Sequence, residues 1–517
     1  MSAEMTLPAT WIVTKLDNVT NKIVGGGTPS KNNPKYFEGN IPWMSVKDMN
    51  KHILDDTQDH ISEEAVLNSS TNIIPAGIPI IATRMSLGKV IIAKFDSAIN
   101  QDLKAIYLND AISISYFTKW YRSVAKYIES LGTGTTVKGI RLENIKELDF
   151  PLTSLAEQHQ IAQRLDELLA QVDTIKARLD AIPAILKRFR QSVLSAAVSG
   201  KLTEEWRKDN PDKSRKLLGE IRKYQREVWE NLELQKFGAK KQLPRNDKWK
   251  EKYQEPSVEA DVELMELPSS WSWGTWEDIL DHSNAPFKRG PFGSALTKSI
   301  FVDKGYKVYE QYCPINDDCS YARYFISEDK YQELKAFDVQ AKDFLISCSG
   351  VTLGRITQVP EQYEPGVINQ ALLRVRLDSN IYDDNFFVRM FRSEFFQKKI
   401  FDSSTGSAIP NVKGVKELKA IPVPIMTLDE QKEIVRLVDQ YFTFAETIEV
   451  QVKNAKTRVD KLTQSILAKA FRGELTADWR AEHPELISGE NSAEALLAKI
   501  QAAKAAFDGK KTRKKTI

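Results

Sequence analysis

The chain has 517 residues, of which 42% are hydrophobic and 28% charged, with a formal net charge of +3. That length allows two to four domains with ample core, and so small a charge points to no polyanion partner, although it leaves room for local basic faces. Three cysteines, Cys313, Cys319 and Cys348, are too few and too unevenly placed for a disulfide framework, and their spacing fits no usual zinc knuckle. No run of about 18 apolar residues exists to cross a membrane, and the opening MSAEMTLPATW lacks the layout of a secretion signal. A cytoplasmic chain without a membrane partner is expected.

In chain order, residues 1–153 read as a mixed α/β unit. Leu7-Pro8-Ala9-Thr10-Trp11 opens it, and Gly25-Gly26-Gly27-Thr28-Pro29-Ser30-Lys31 is a turn or loop. The runs Ile73–Ile81 and Lys89–Ala93 read as short strands joined by the polar loop from Thr83 to Gly88. Tyr116 to Leu131 has helical spacing and ends in the loop Gly132-Thr133-Gly134-Thr135-Thr136.

A repeated helical region follows, residues 154–262. Ile161, Leu165, Leu168, Val172, Ile175, Leu179, Ile182, Leu186, Phe189, Val193 and Ala196 alternate spacings of four and three, the seam of a coiled-coil helix. Pro183 predicts a kink in it, and Gly200 a C-terminal stop. Leu217, Ile221, Tyr224, Val228 and Leu232 mark a shorter amphipathic helix, and the lysine-rich stretch after it reads as a linker.

The chain then starts again. A second α/β unit, residues 263–426, opens with Leu267-Pro268-Ser269-Ser270-Trp271. Leu353-Gly354-Arg355 echoes Leu87-Gly88-Lys89, Asn369-Gln370 echoes Asn100-Gln101, and Ser404-Thr405-Gly406-Ser407 echoes the loop at Gly132. The second helical region, residues 427–507, carries the seam Ile434, Val438, Tyr441, Ala445, Ile448, Val452, Ala455, Val459, Leu462 and Ile466. Ile161 and Ile434 stand 273 residues apart, as do Val193 and Ile466. The stretch from Gly473 to Arg480 matches that from Gly200 to Arg207, and Leu496, Leu497 and Ile500 repeat Leu217, Leu218 and Ile221. Residues 508–517 form a basic tail, expected to be disordered. The fold class expected is therefore α+β: two mixed α/β units and two long helices in an antiparallel coiled coil, related by an internal pseudo-two-fold repeat.

Catalytic and metal-binding patterns are missing from this sequence. It contains no GxxxxGK[ST] loop, and the glycines at Gly25 lack the GxGxxG spacing. Asn33-Pro34-Lys35-Tyr36 resembles the Asn-Pro-Pro-Tyr loop of amino-methyltransferases, but Lys35 breaks it. His52, His60, His159, His282 and His483 are too scattered for a triad or metal site. What remains is polar and basic loops. Lys31, Arg84, Lys89 and Lys138 in the first unit, and Lys288, Arg289, Arg355 and Lys413 in the second, can hold phosphates or read guanine edges. Thr28, Ser30, Asn100, Gln101 and Thr136, with Ser349, Asn369 and Gln370, add hydrogen-bonding groups that suit adenine or backbone oxygens. Surface solvation is the bland alternative for any one of them.

The Leu-Pro-x-x-Trp openings, Gly26-Gly27-Thr28-Pro29-Ser30, the helices starting Glu157-Gln158 and Glu430-Gln431, and the endings through Gly200-Lys201-Leu202-Thr203 and Gly473-Glu474-Leu475-Thr476 together resemble specificity (S) subunits of type I restriction–modification enzymes, over essentially the whole chain. The resemblance implies that each globular unit is a target recognition domain reading one half of a split, asymmetric double-stranded DNA target. It implies too that the helices dock two methyltransferase subunits and recruit restriction/translocase subunits. S-adenosylmethionine, ATP and Mg2+ would then serve those partners, with no cofactor or metal in this chain. Two other readings are a combined restriction–methylation enzyme, which would need catalytic motifs in the same chain, and a coiled-coil scaffold that binds no DNA.

Overall fold

The computed structural model describes residues 7–134, 137–241, 244, 246–258, 264–350, 352–401 and 412–514, with the backbone alone for 506–514. Thr136 and the stretch Ser404–Ser407 lie outside the described residues.

Two helices of 44 residues each, Leu155–Val198 and Leu428–Phe471, carry the two seams. Pro183, expected to kink the first, lies inside an unbroken helical span. Pro183 is exposed and has no N–H, so the helix forgoes one backbone hydrogen bond there. Both helices stop at a glycine in the left-handed region, Gly200 at φ +77° and Gly473 at φ +75°. After the second, the Glu474 N–H closes onto the Lys469 carbonyl at 3.0 Å, as a Schellman cap requires.

The chain divides into two compact units, residues 1–180 with 452–517, and residues 181–451. The division cuts through both long helices. The first unit therefore joins one globular head to the start of the first helix and the end of the second. Its core packs Ile161, Leu165 and Val172 with Ile466, Leu467, Ala470 and Phe471. Lys176 pairs with Asp460 at 2.8 Å, and Asp180, one turn further along, pairs with Lys456 at 2.5 Å. One number rises as the other falls, so the helices run antiparallel there. The second unit has the reverse composition: Val193, Leu194, Ala197 and Val198 share a core with Ile434 and Val438, and Arg190 holds Glu449 by two bonds of 2.7 and 3.2 Å.

Burial along the seams is uneven. Leu168, Leu179, Ile448 and Val459 are half-buried and Val452 is buried, whereas Ile175 (42%) and Tyr441 (40%) are exposed. A lone helix pair covers a narrow stripe, so away from the heads its seam residues keep an open flank.

The two heads share one strand plan that their sequences hardly betray. In the first, Thr20–Gly25, Leu103–Leu108, Pro79–Ala82, Val90–Ala93 and the short Ile53–Leu54 form one sheet, and Asp59–Ile61, Ile41–Met44, Ser97–Ile99 and Asn72–Ile74 a second. In the second head, Phe287–Arg289, Leu372–Val375, Phe344–Ser347 and Ile356–Gln358 repeat the first sheet without its fifth strand. Phe325–Ile326, Tyr306–Tyr309, Gly366–Ile368 and Asp338–Val339 repeat the other. Each second sheet has one parallel pair in the same place, Ile41–Met44 with Ser97–Ile99 and Tyr306–Tyr309 with Gly366–Ile368. The run from Ile73 to Ile81, expected as one strand, is two strands in different sheets, because Pro75-Ala76-Gly77 turns the chain with Gly77 at φ +83°.

Each head is tied to its helices by a knot built from the repeated motifs. In the first unit Glu157 is fully buried. It accepts from Trp11 Nε1 (2.8 Å), Thr153 Oγ1 (2.5 Å), Thr476 Oγ1 (2.7 Å) and Arg480 Nη1 (2.5 Å). Gln158 accepts from the Ser113 N–H at 2.9 Å and donates to the Thr153 carbonyl at 3.0 Å. Arg480 also caps the Gly473 carbonyl at 2.6 Å, and a Cβ on Gly473 would stand 2.4 Å from Pro8 Cγ. The opening Leu-Pro-x-x-Trp, the Glu-Gln start and the Gly…Thr…Arg ending are thus parts of one contact. In the second unit, Glu430 takes Thr203 Oγ1 (2.8 Å) and Arg207 Nη1 (2.6 Å). Gln431 takes the Asp383 N–H at 2.7 Å, and Gly200 meets Pro268.

Two further expectations change. The lysine-rich stretch read as a linker is anchored by Trp249, which is buried and stacks on Trp229 with centroids 5.8 Å apart. Residues 508–514 of the tail continue the helix Ala493–Lys514 in its backbone, in keeping with their lysines and arginine, which are good helix formers. Among the described residues no helix is long and apolar enough to cross a membrane.

Candidate nucleic-acid interface

In the first head, loops from distant parts of the chain converge because glycine lets backbones meet. A Cβ on Gly26 would fall 1.8 Å from the Ile99 carbonyl oxygen, so the Gly25–Lys31 loop crosses directly over the end of strand Ser97–Ile99. There Thr28 Oγ1 donates to Gln101 Oε1, and Ser30 and Lys31 are exposed beside it. Arg84 reaches toward Asp102, 3.8 Å away, while its own side chain stays 62% exposed. Met85, at φ +63° and 64% exposed, donates its N–H to the Lys138 carbonyl at 3.0 Å. Gly139 bridges both Arg84 and Thr133. Thr28, Gln101, Arg84 and Lys138 therefore belong to one loop cluster with exposed cationic and amide groups.

Asn100 does not share that freedom. It is buried, its Oδ1 accepts the Asp102 N–H at 3.0 Å, and its amide leans on Asp102 Oδ2 at 3.3 Å. The side chain is committed to an Asx turn, which removes it from the groups that could read a base. Asn369 makes the same turn in the second head, accepting the Ala371 N–H at 3.1 Å.

The second head builds its cluster differently. Gly290 lies against the Asn369 turn as Gly26 lies against Ile99, with 1.8 Å from a Cβ to the Asn369 oxygen. Lys288 sits over the Phe337 ring at 4.8 Å, and Arg289 is half-buried on the same strand. Phe292 follows, 90% exposed. Ser349 is held by Gln311 Nε2, which reaches its carbonyl at 2.6 Å and its hydroxyl at 3.3 Å. Gln370 is exposed and Lys413 half-buried. Two other arginines of this head are consumed by the fold. Arg376 grips Asp343 at 2.7 and 3.1 Å, and Arg374, fully buried, binds Asp338 at 2.8 Å. Burial pushes the Asp343 carboxyl up despite Arg376, while the Asp338 carboxyl is lowered: burial there is outweighed by Gln340 and the two guanidiniums.

Lys89 and Arg355 are exposed, and each lines a pocket formed by a head and the end of a long helix, with Arg122 in the first unit and Arg392 in the second. These two arginines, with Met85 and Phe292, were missed from the sequence. The signal for the arginines was the repeat: Tyr121-Arg122-Ser123 and Phe391-Arg392-Ser393 occupy equal places at the end of an aromatic helix.

A family model for the type I restriction modification DNA specificity domain matches residues 8–184 and 293–455. The chain belongs to this family. It is 37% identical to the EcoBI specificity subunit of Escherichia coli over 77% of this chain and 73% of that one. To the StySPI specificity subunit of Salmonella potsdam it is 33% identical over 98% of both chains. Among solved structures, the HsdS subunit from Thermoanaerobacter tengcongensis aligns with TM-score 0.51 at 15% identity, covering 90% of this chain and 98% of that one. A chain from a study of complex assembly and conformational transition of the type I R-M system aligns with TM-score 0.52 at 14% identity, covering 90% and 99%. A member of this family is a non-catalytic DNA-recognition subunit of a type I restriction–modification system, and that is the function of this chain.

Proposed function

We propose that each head reads one half of a bipartite, asymmetric double-stranded DNA target. In the first head Thr28, Ser30, Lys31, Arg84, Gln101 and Lys138 form the reading surface. In the second it is formed by Lys288, Arg289, Ser349, Gln370 and Lys413. The observation that carries this is the pairing of one strand plan with two unlike loop sets. Arg84 has Gly350 at the matching position of the second head, counted back from the shared Leu-Gly step. Guanidinium forks and amides are the groups that discriminate base edges in the major groove, so unlike loops on like frames predict unlike half-sites.

The long helices dock two methyltransferase subunits, and the assembly takes on restriction/translocase subunits in turn. Exposed apolar side chains on those helices support the docking: Ile175 and Leu462 in one unit, Ile185, Tyr441, Phe444 and Val450 in the other. S-adenosylmethionine, ATP and Mg2+ are used by the partner subunits, and the complex works in the cytoplasm. The test is a chimera in which residues 1–150 are exchanged for the matching part of a relative, followed by methylation-sensitive sequencing of DNA from cells that carry the whole complex. One half of the target should change while the other stays. A change in both halves, or in neither, overturns the modular reading.

A further inference from the structure

The two pockets that hold Lys89 and Arg355 are copies of each other. In the first unit the pocket is about 270 Å3 and is lined by Lys51, His52, Lys89, Arg122, Gln464 and Leu467, among others. In the second it is about 570 Å3, with Arg190, Gln191, Leu194, Arg355 and Arg392 in the lining. Gln191 and Gln464, like Leu194 and Leu467, stand 273 residues apart, the offset of the helical repeat. Lys89 and Arg355 both follow the glycine of the Leu-Gly step, and Arg122 and Arg392 both end the aromatic helix.

Their charge states differ. In the second pocket Arg190 is taken by Glu449 and Arg392 by Asp317 at 3.1 Å. In the first, no lining side chain is acidic. The side chains of Lys51, Lys89 and Arg122 form no hydrogen bond or ion pair among the described residues, although Arg122 is half-buried. Two carboxylates of the first long helix act on Arg122 from outside the lining, Asp173 foremost, which also acts on His52, and then Asp166, which is bound by Lys119 at 2.9 Å. Three cations from three separate segments, with the Gln464 amide beside them, make a cup whose lining holds no carboxylate; the Asn50 amide and the Thr463 hydroxyl of that lining already donate to the Lys47 and Val459 carbonyls.

From this geometry we propose that the first pocket binds a phosphate group, supplied by the DNA backbone flanking the half-site, and that its copy in the second unit does not, because Glu449 and Asp317 already occupy Arg190 and Arg392 there. A phosphate offers acceptors in every direction and suits a cup of point charges and amides from several elements. Lys89 lies five residues beyond Arg84 in one loop, a reach of at most about 17 Å. With base pairs about 3.4 Å apart, a phosphate within roughly five steps of the base met by Arg84 falls inside that reach. The inference rests on the DNA-reading proposal, and the test separates the two.

The assembled complex, with its methyltransferase subunits, is titrated with a duplex of arbitrary sequence across a range of salt. Binding by the parent complex shows that DNA is held at all, the reading of half-sites being tested by the chimera; the difference between parent and variant tests the pocket. Phosphate contacts make log affinity fall with log salt by about 0.9 per contact. Lys89→Gln alone, at an exposed position, and Lys89→Gln with Arg122→Gln should each flatten that slope, by about one for the pair, while Arg392→Gln leaves it as in the parent. Equilibrium dialysis with labelled inorganic phosphate runs beside it. A flattened slope identifies the DNA backbone as the source; an unchanged slope with phosphate bound by the parent and lost in the variant identifies free phosphate. An unchanged slope with no phosphate bound overturns the proposal. So does loss of the methyltransferase subunits from the variant at unchanged slope, because the pocket then holds a carboxylate of the partner.

Discussion

The two knots that join head to helix use the same residues and reach different degrees of completion. In the first, both oxygens of Glu157 are occupied, one by Trp11 and Thr153, the other by Thr476 and Arg480. In the second, Thr203 and Arg207 share one oxygen of Glu430, while Glu430 Oε2 and Trp271 Nε1, both buried, have no hydrogen-bond partner among the described residues. Arg207 still lies over the Trp271 ring at 5.6 Å, as Arg480 lies over Trp11 at 5.8 Å. The position of Thr153, two residues before the helix start, is Met426 in the second copy. One lost hydroxyl accompanies the loss of the tryptophan bond. A buried polar network is stable when each member is satisfied and costly when it is half complete. The repeat therefore preserves the shape of the knot more strictly than its hydrogen bonding.

The sharpest break is at the carboxylates. Glu157→Ala strands Arg480, Trp11, Thr153 and Thr476 in a buried site, and should cost about 3–5 kcal/mol, the range for removing one partner of a buried ion pair. Glu430→Ala strands fewer donors and also removes an oxygen that had no partner, so about 2–3 kcal/mol is expected from charged hydrogen bonds alone. Urea unfolding of the full chain, with hydrogen exchange at the starts of the two long helices to localise the loss, measures both. Equal costs would mean that the second knot is as complete as the first.

The next comparison is along the helix itself. Leu165 is fully buried in the first core, whereas Ile175, ten residues on in the same seam, is 42% exposed. Leu165→Ala should lose about 2–5 kcal/mol, and Ile175→Ala no more than about 0.5 kcal/mol, the usual surface range. Ile175→Asp should nonetheless weaken co-purification of the methyltransferase subunits. If Ile175→Ala cost as much as Leu165→Ala, the seam would be closed along its length. If Ile175→Asp left co-purification intact, this side chain would take no part in docking.

The spacing of apolar residues made the helices legible, since a four-three alternation has only one simple structural meaning. It did not show where along the seam burial fades, because Ile175 and Leu165 carry the same pattern and differ only in what the heads place over them. The motifs at the helix ends were legible as repeats and opaque as chemistry. That Arg480 serves Glu157 across 323 residues, and Arg207 serves Glu430, follows from antiparallel pairing and not from any local signal. The heads were the reverse case. Their common strand plan was hidden because short, fully buried strands tolerate any apolar sequence. Their candidate residues were found by type, yet type alone could not separate Asn100, locked in its turn, from Gln101, which is exposed.

The smallest effect tests the origin of the asymmetry. If the hydroxyl of Thr153 is what completes the first knot, placing one at Met426 should begin to complete the second. Met426→Thr also deletes buried apolar volume, so its raw stability change mixes a loss of packing with any gain in hydrogen bonding. A double-mutant cycle with Glu430→Gln isolates the pair, because the packing loss occurs in both backgrounds and cancels. A new hydroxyl bond to a charged oxygen should appear as a coupling of about 1–2 kcal/mol. The mirror substitution, Thr153→Met, removes a donor from Glu157 and should cost about 1–3 kcal/mol while leaving Thr476 and Arg480 bound. The Trp11 and Trp271 indoles provide a second readout, since an N–H in a hydrogen bond exchanges with solvent more slowly than one without. In the parent chain Trp11 should be the better protected of the two. Met426→Thr should raise protection at Trp271 only if the threonine draws Glu430 Oε2 into place; a coupling near zero with Trp271 unchanged would mean that backbone placement, and not the missing hydroxyl, keeps the second knot open.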